Sequence, residues 1–155
     1  MSFRITGLPA ENFQQLFELS DAELAERGAV RQTADARNPG YPCRVSLTDS
    51  KPGDELILTN YEHLDVDSPY RMRFAIFIRK GDRSYDAVGE VPEQLRKRTL
   101  AVRGYDAKGM MTGCELVDGK AVEGAIDRMF AKPDANYLHI HFAAPGCYAA
   151  RVERA

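Results

Sequence analysis

The chain lacks the landmarks that usually assign a protein to a chemistry. No G-x-G-x-x-G fingerprint, no phosphate-binding G-x-x-x-x-G-K, no G-x-S-x-G elbow and no H-E-x-x-H pair occurs in its 155 residues. Dinucleotide, P-loop, α/β-hydrolase and zincin readings lose their sequence basis, and no nucleotide cofactor is implied. No apolar run reaches membrane-spanning length, and no basic segment leads into a long apolar one at the start. Cysteine is scarce and odd in number: Cys43, Cys114 and Cys147 form no C-x-x-C pair, so a structural zinc cluster is not indicated. There is no excess of charge either. The formal net charge is -2, and Arg96-Lys97-Arg98 is the only basic cluster, which gives no pull toward nucleic acid or an anionic membrane. These absences together lead to the expectation of a cytoplasmic protein with reduced thiols.

What is present is an ordinary globular balance, 44% hydrophobic and 28% charged, at a length that suits one domain, residues 1–155, with a single core. Phe3-Arg4-Ile5-Thr6 reads as an opening strand. Pro9 followed by Phe13, Leu16 and Phe17 predicts a first helix, and the capping box Ser20-Asp21-Ala22-Glu23 with Gly28 predicts a second. Beyond Val30 the pattern becomes strands and turns. Cys43, Val45 and Leu47 alternate with Arg44, Ser46 and Thr48. Leu56-Ile57-Leu58 is continuously apolar, as expected of a strand central in its sheet. Met72 to Arg79 alternates cleanly. Pro92-Glu93-Gln94-Leu95 opens a helical turn. Leu100 and Val102 lead through Tyr105–Gly109 into a return strand, and Val122, Ala125, Ile126, Met129 and Phe130 fall at helical spacing before Pro133. Two last strands, near 136–142 and 147–153, flank Pro145-Gly146. The expected architecture is α+β: a single domain with a mainly antiparallel sheet of about seven strands and helices packed on one side.

Tyr137-Leu138-His139-Ile140-His141-Phe142 carries the clearest functional signal. Strand alternation puts Leu138, Ile140 and Phe142 on one face and Tyr137, His139 and His141 on the other. Paired imidazoles of this kind suit a polar ligand, a proton transfer or a divalent metal. His63 is the third imidazole for such a site, and Glu62 is the carboxylate alternative. Cys147 follows His141 across a short turn and is the candidate nucleophile, whereas Cys43 beside Arg44 is a weaker one and Cys114 reads as packing. Arg44, Arg71, Arg73, Arg103 and Arg151 occupy non-core strand positions from which guanidinium groups could converge on a carboxylate or phosphate, unless Glu62, Asp65 and Asp67 neutralise them. The loop His63–Tyr70 joins two strong strands and is a natural place for binding residues.

In combination, Gly40-Tyr41-Pro42-Cys43-Arg44, Asn60-Tyr61-Glu62-His63, Ser68-Pro69-Tyr70-Arg71 with Ile76-Phe77-Ile78-Arg79, and His139-Ile140-His141 with Gly146-Cys147-Tyr148 resemble a bacterial domain-of-unknown-function family, the one numbered 1203. The likeness runs from Phe3–Pro9 to Ala150–Glu153. It implies a bacterial cytoplasmic protein, an asparagine where this chain carries Phe142, and no particular activity.

The leading expectation is a pocket lined by His63, Arg71, His139, His141, Cys147 and Arg44 that binds a small anionic or polar ligand. The alternatives are an enzyme dependent on a metal at His63, His139 and His141 or on the Cys147 thiol, and a protein-interaction module that recruits a partner through a sheet edge.

Overall fold

The structure, a computed structural model, describes residues 2–155. Its strands are β1 (Phe3–Thr6), β2 (Val30–Thr33), β3 (Glu55–Leu64), β4 (Met72–Arg79), β5 (Asp86–Val88), β6 (Thr99–Tyr105), β7 (Met111–Asp118), β8 (Tyr137–Phe142) and β9 (Tyr148–Arg154). Three α-helices, α1 (Asp21–Glu26), α2 (Glu93–Arg96) and α3 (Val122–Phe130), complete the regular structure with three short 3₁₀ turns. Every paired strand runs antiparallel, in a six-stranded sheet ordered β5-β1-β9-β8-β6-β7 and a three-stranded sheet ordered β2-β3-β4. The α+β architecture is as expected, with the strands divided between two sheets.

Local chemistry explains the boundaries. At α1, Ser20 Oγ accepts from the Glu23 amide at 3.2 Å while Glu23 Oε2 accepts from the Ser20 amide at 2.7 Å, the reciprocal pair that the sequence predicts. Gly28, at φ +69°, takes the left-handed conformation that ends the helix. Between β6 and β7, Asp106 Oδ1 accepts from the amides of Lys108 and Met110, which closes the hairpin. β3, carrying Leu56-Ile57-Leu58, lies centrally in its sheet.

The larger core lies between the six-stranded sheet and α3. Leu100, Val102, Leu138, Ile140 and Val152 pack there against Val122, Ala125, Ile126 and Phe130, the apolar stripe of the helix. A second cluster, of Ile57, Ile76 and Ile78 with Phe13, Phe17, Leu24 and Val45, fills the smaller sheet's side and reaches the six-stranded sheet at Tyr148. The opposite face of β8 therefore looks toward the small sheet, and whatever it carries is buried between layers.

Three local expectations are corrected. The segment after Pro9 winds into 3₁₀ turns, Ala10–Asn12 and Gln14–Glu18, although Phe13 and Phe17 are buried as their spacing requires. Residues 43–48 are not a strand. Arg44–Ser46 form a turn, Leu47 is left-handed at φ 52°, and the backbone bonds go to three separate partners: Leu8 N to Arg44 O, Arg44 N to Phe77 O and Tyr85 N to Val45 O. Alternating apolarity there reflects a buried loop tying elements together. Cys114, read as packing, is exposed on the edge strand β7.

Candidate functional site

Register decides which side chains share the inner face. In the antiparallel pairs, His139 on β8 stands opposite Arg103 on β6 and opposite Arg151 on β9. Directly opposed residues share a face, so Arg103, His139 and Arg151 form one row across three strands. The next row would be Ala101, His141 and Ala149 by simple continuation. A β-bulge intervenes: Ile140 pairs with Ala150, but His141 pairs with Tyr148, leaving Ala149 as the extra residue. The bulge turns Tyr148 onto the histidine face and sends Ala149 into the larger core.

His63, near the end of β3, closes the arrangement from the small sheet. Its ring stacks on Tyr148 with centroids 5.2 Å apart, and it meets His141 at 5.1 Å and His139 at 6.1 Å, both edge-on. The three histidines, scattered at 63, 139 and 141, are thus brought together by the layering of two sheets. His139 is 2% exposed and His141 not at all. A cavity of about 390 Å³ opens beside them, walled by His63, His139, Tyr61, Tyr148 and Arg151 together with Thr6–Pro9. Gly7 is required in that wall, because a Cβ there would lie 2.0 Å from the Val45 carbonyl oxygen.

The imidazoles are held neutral. Burial lowers the pKa of His63 to about 4 and that of His141 to about 3; the Arg103 charge adds to both. His139 is pushed well below its ordinary value, first by burial and then by His141, Arg151, His63 and Arg103. His141 Nδ1 lies 2.9 Å from the Gly146 carbonyl, which can only accept, so Nδ1 carries the proton and Nε2 a lone pair. That Nε2 and His139 Nδ1 are buried without a hydrogen-bond partner. His63 makes no well-formed bond through either ring nitrogen and has only a contact with the Tyr61 backbone. Buried polar atoms in native proteins are normally satisfied, so these nitrogens are the unused hydrogen-bonding capacity of the inner face.

The other predicted site residues lie elsewhere. Arg71 is 57% exposed and pairs with Glu62 at 2.7 Å and Asp65 at 3.1 Å, the neutralisation that the acidic run allows. Arg44, expected at a non-core strand position, is 2% exposed. It donates through Nε to the Tyr148 carbonyl, through Nη1 to the Pro42 carbonyl and through Nη2 to Cys147 Sγ at 2.9 Å. The Cys147 thiol is therefore bonded to an arginine rather than to His141. Among the described residues no carboxylate lies within ion-pair distance of Arg44 or Arg103. Burial lowers the Arg44 pKa from its ordinary value, with the two nearby cysteine sulfurs opposing the change. The residues that sequence reasoning left out of the site are Tyr61, Tyr148, Arg103, Arg151 and Thr6–Pro9. Arg103 and Arg151 carried a signal in their strand parity, but only strand order puts them beside β8.

A family model described as "Protein of unknown function (DUF1203)" matches residues 40–154, which includes His63, Arg103, His139, His141, Tyr148 and Arg151. The chain belongs to this family. No curated protein and no solved structure matches it. Within the family's span fall both sheets' inner faces except β1 and β2, so Thr6–Pro9, a wall of the cavity, comes from outside the matched region. Among the described residues no group of three His, Cys, Asp or Glu side chains is arranged to hold a metal ion.

Proposed function

We propose that the inter-sheet cavity binds a small oxyanion that also carries a hydrogen-bond donor, such as a hydroxy acid or a hydrogen phosphate. The observation that supports this most directly is Arg151 at the cavity wall beside the unsatisfied nitrogens of His63 and His139, with Arg103 next to His139 in the same row; the Arg151 Nε is held by Glu153 at 2.9 Å, so its Nη groups are the ones that face a ligand. The guanidinium groups supply charge and paired N–H donors for an oxyanion. The neutral rings of His63 and His139 supply acceptor and donor nitrogens, while the His141 donor is taken by the Gly146 carbonyl and only its Nε2 lone pair is unused. The cavity size suits a ligand of a few heavy atoms up to a small metabolite. Arginine on both sides of His139 makes the site a better host for an anion than for a cation, and this separates the reading from the three-imidazole metal centre. The free state of Cys43, Cys114 and Cys147 accords with a reducing compartment such as the cytoplasm.

Isothermal titration calorimetry with inorganic phosphate and with glycolate tests this. Saturable binding is expected, weakened about tenfold in Arg103→Gln and in Arg151→Gln, a loss equivalent to one removed charge-assisted contact. Arg71→Gln, on the outer surface, should bind like the parent. Affinity for glycolate should stay level between pH 7 and pH 5.5, because His63 and His141 remain neutral throughout that range. No binding of either probe at millimolar concentration, or an equal effect of Arg71→Gln, overturns the proposal. Stoichiometric transition metal in protein purified without a histidine tag would replace it with the metal reading.

A further inference from the structure

A second cavity, of about 610 Å³, opens at the far end of the β8–β9 hairpin, where Cys147 and Arg44 meet. Tyr41, Phe77 and Phe142 give it aromatic walls, and Arg44, Lys97 and Arg98 bring positive charge. Arg37 adds a fourth cation at the rim, lying 4.0 Å over the Tyr41 ring. No Asp or Glu lines it among the described residues. The guanidinium groups of Arg44 and Arg98 stand 4.9 and 5.0 Å from the same Phe142 ring centroid. Arg98 is compensated by Asp49 at 2.9 Å, while Arg44 has hydrogen bonds but no countercharge.

A buried cation without a countercharge is costly, and a second cation beside it adds repulsion. Three of the five N–H donors of Arg44 are used by Tyr148, Pro42 and Cys147, which leaves two for a ligand. We infer that this cavity is a second binding site, distinct from the histidine pocket, for a flat apolar molecule bearing one anionic group, of the aromatic carboxylate class. The anionic group meets the Arg44–Arg98 pair and Lys97, and the ring system lies against Tyr41, Phe77 and Phe142. The apolar walls supply affinity through buried area, and the cations select the charge.

The test is calorimetric titration of the full chain with 1-naphthoate and with its neutral counterpart 1-naphthalenemethanol. Naphthoate should bind at least about tenfold more tightly than the alcohol. Tyr41→Ala should weaken both probes. Lys97→Glu, a change at an exposed side chain, should weaken naphthoate alone. His63→Gln should leave naphthoate binding unchanged, and saturating phosphate should not displace it, which keeps this result separate from the fate of the histidine pocket. Absence of naphthoate binding, equal affinity for the two probes, or loss in His63→Gln with none in Tyr41→Ala overturns the inference.

Discussion

Arg44 and the three histidines show how far a single residue's surroundings can depart from its sequence neighbourhood. The alternation around Arg44 predicts a non-core strand position from which it could reach an anion, yet it fastens Pro42, Cys147 and the Tyr148 backbone in three directions. A lysine has no planar fork to reach three acceptors, so Arg44→Lys should lower stability by about 2 kcal/mol in urea unfolding. The histidines act in the opposite sense, as buried groups that resist charging. Their folded pKa values lie below the unfolded value of about 6.5, so the unfolded chain binds protons first as pH falls. Their contribution is fully present above about pH 6.5 and declines as pH falls toward about 4, by up to about 1.4 kcal/mol per pH unit for each ring. The urea midpoint should accordingly drop between pH 7 and pH 5, and drop less in His139→Gln, which has no ring to protonate. An equal drop in the variant would mean that other groups govern the acid response.

Elements were legible wherever periodicity and end chemistry agreed. The capping box of α1, the apolar stripe of α3 and the alternation of β8 appear where the sequence puts them, whereas in β4 Ile76 and Ile78 are buried as expected but Phe74 on the same side is exposed. Replacing the cap, Ser20→Ala, should cost about 1 kcal/mol by chemical denaturation. Two things were not legible. The 43–48 loop mimics a strand because Cys43, Val45 and Leu47 are all buried, although by contacts with different elements. The bulge at Ala149 has no sequence signature, yet it turns Tyr148 onto His63. The candidate site was half-readable for the same reason. His139 and His141 could be placed on one face from alternation alone, but their arginine neighbours depend on a strand order set by nonlocal pairing. The Gly7 backbone passes so close to Val45 that Gly7→Ala must part β1 from the 43–48 loop, and it should cost about 3 kcal/mol and weaken phosphate binding at the cavity wall.

At the scale of the molecule, two apolar clusters are joined by β9, which contributes Ala149, Ala150 and Val152 to one and Tyr148 to the other. Neither sheet buries its inner face without the other, so unfolding should be one transition, with tyrosine fluorescence and far-ultraviolet circular dichroism coinciding in urea. A second, separate fluorescence transition would mean that the small sheet melts alone. The layering also explains why the polar cluster exists at all: the inner faces that enclose the histidines are the ones that would otherwise be solvated. The most direct measurement of that arrangement is nuclear magnetic resonance of the imidazole ring nitrogens, titrated with pH and then with inorganic phosphate. Three neutral rings are expected at pH 7 that stay neutral below pH 5.5, with the His63 and His139 nitrogens shifting saturably as phosphate is added. Rings that titrate near pH 6.5, or that ignore phosphate at every pH, would contradict that arrangement.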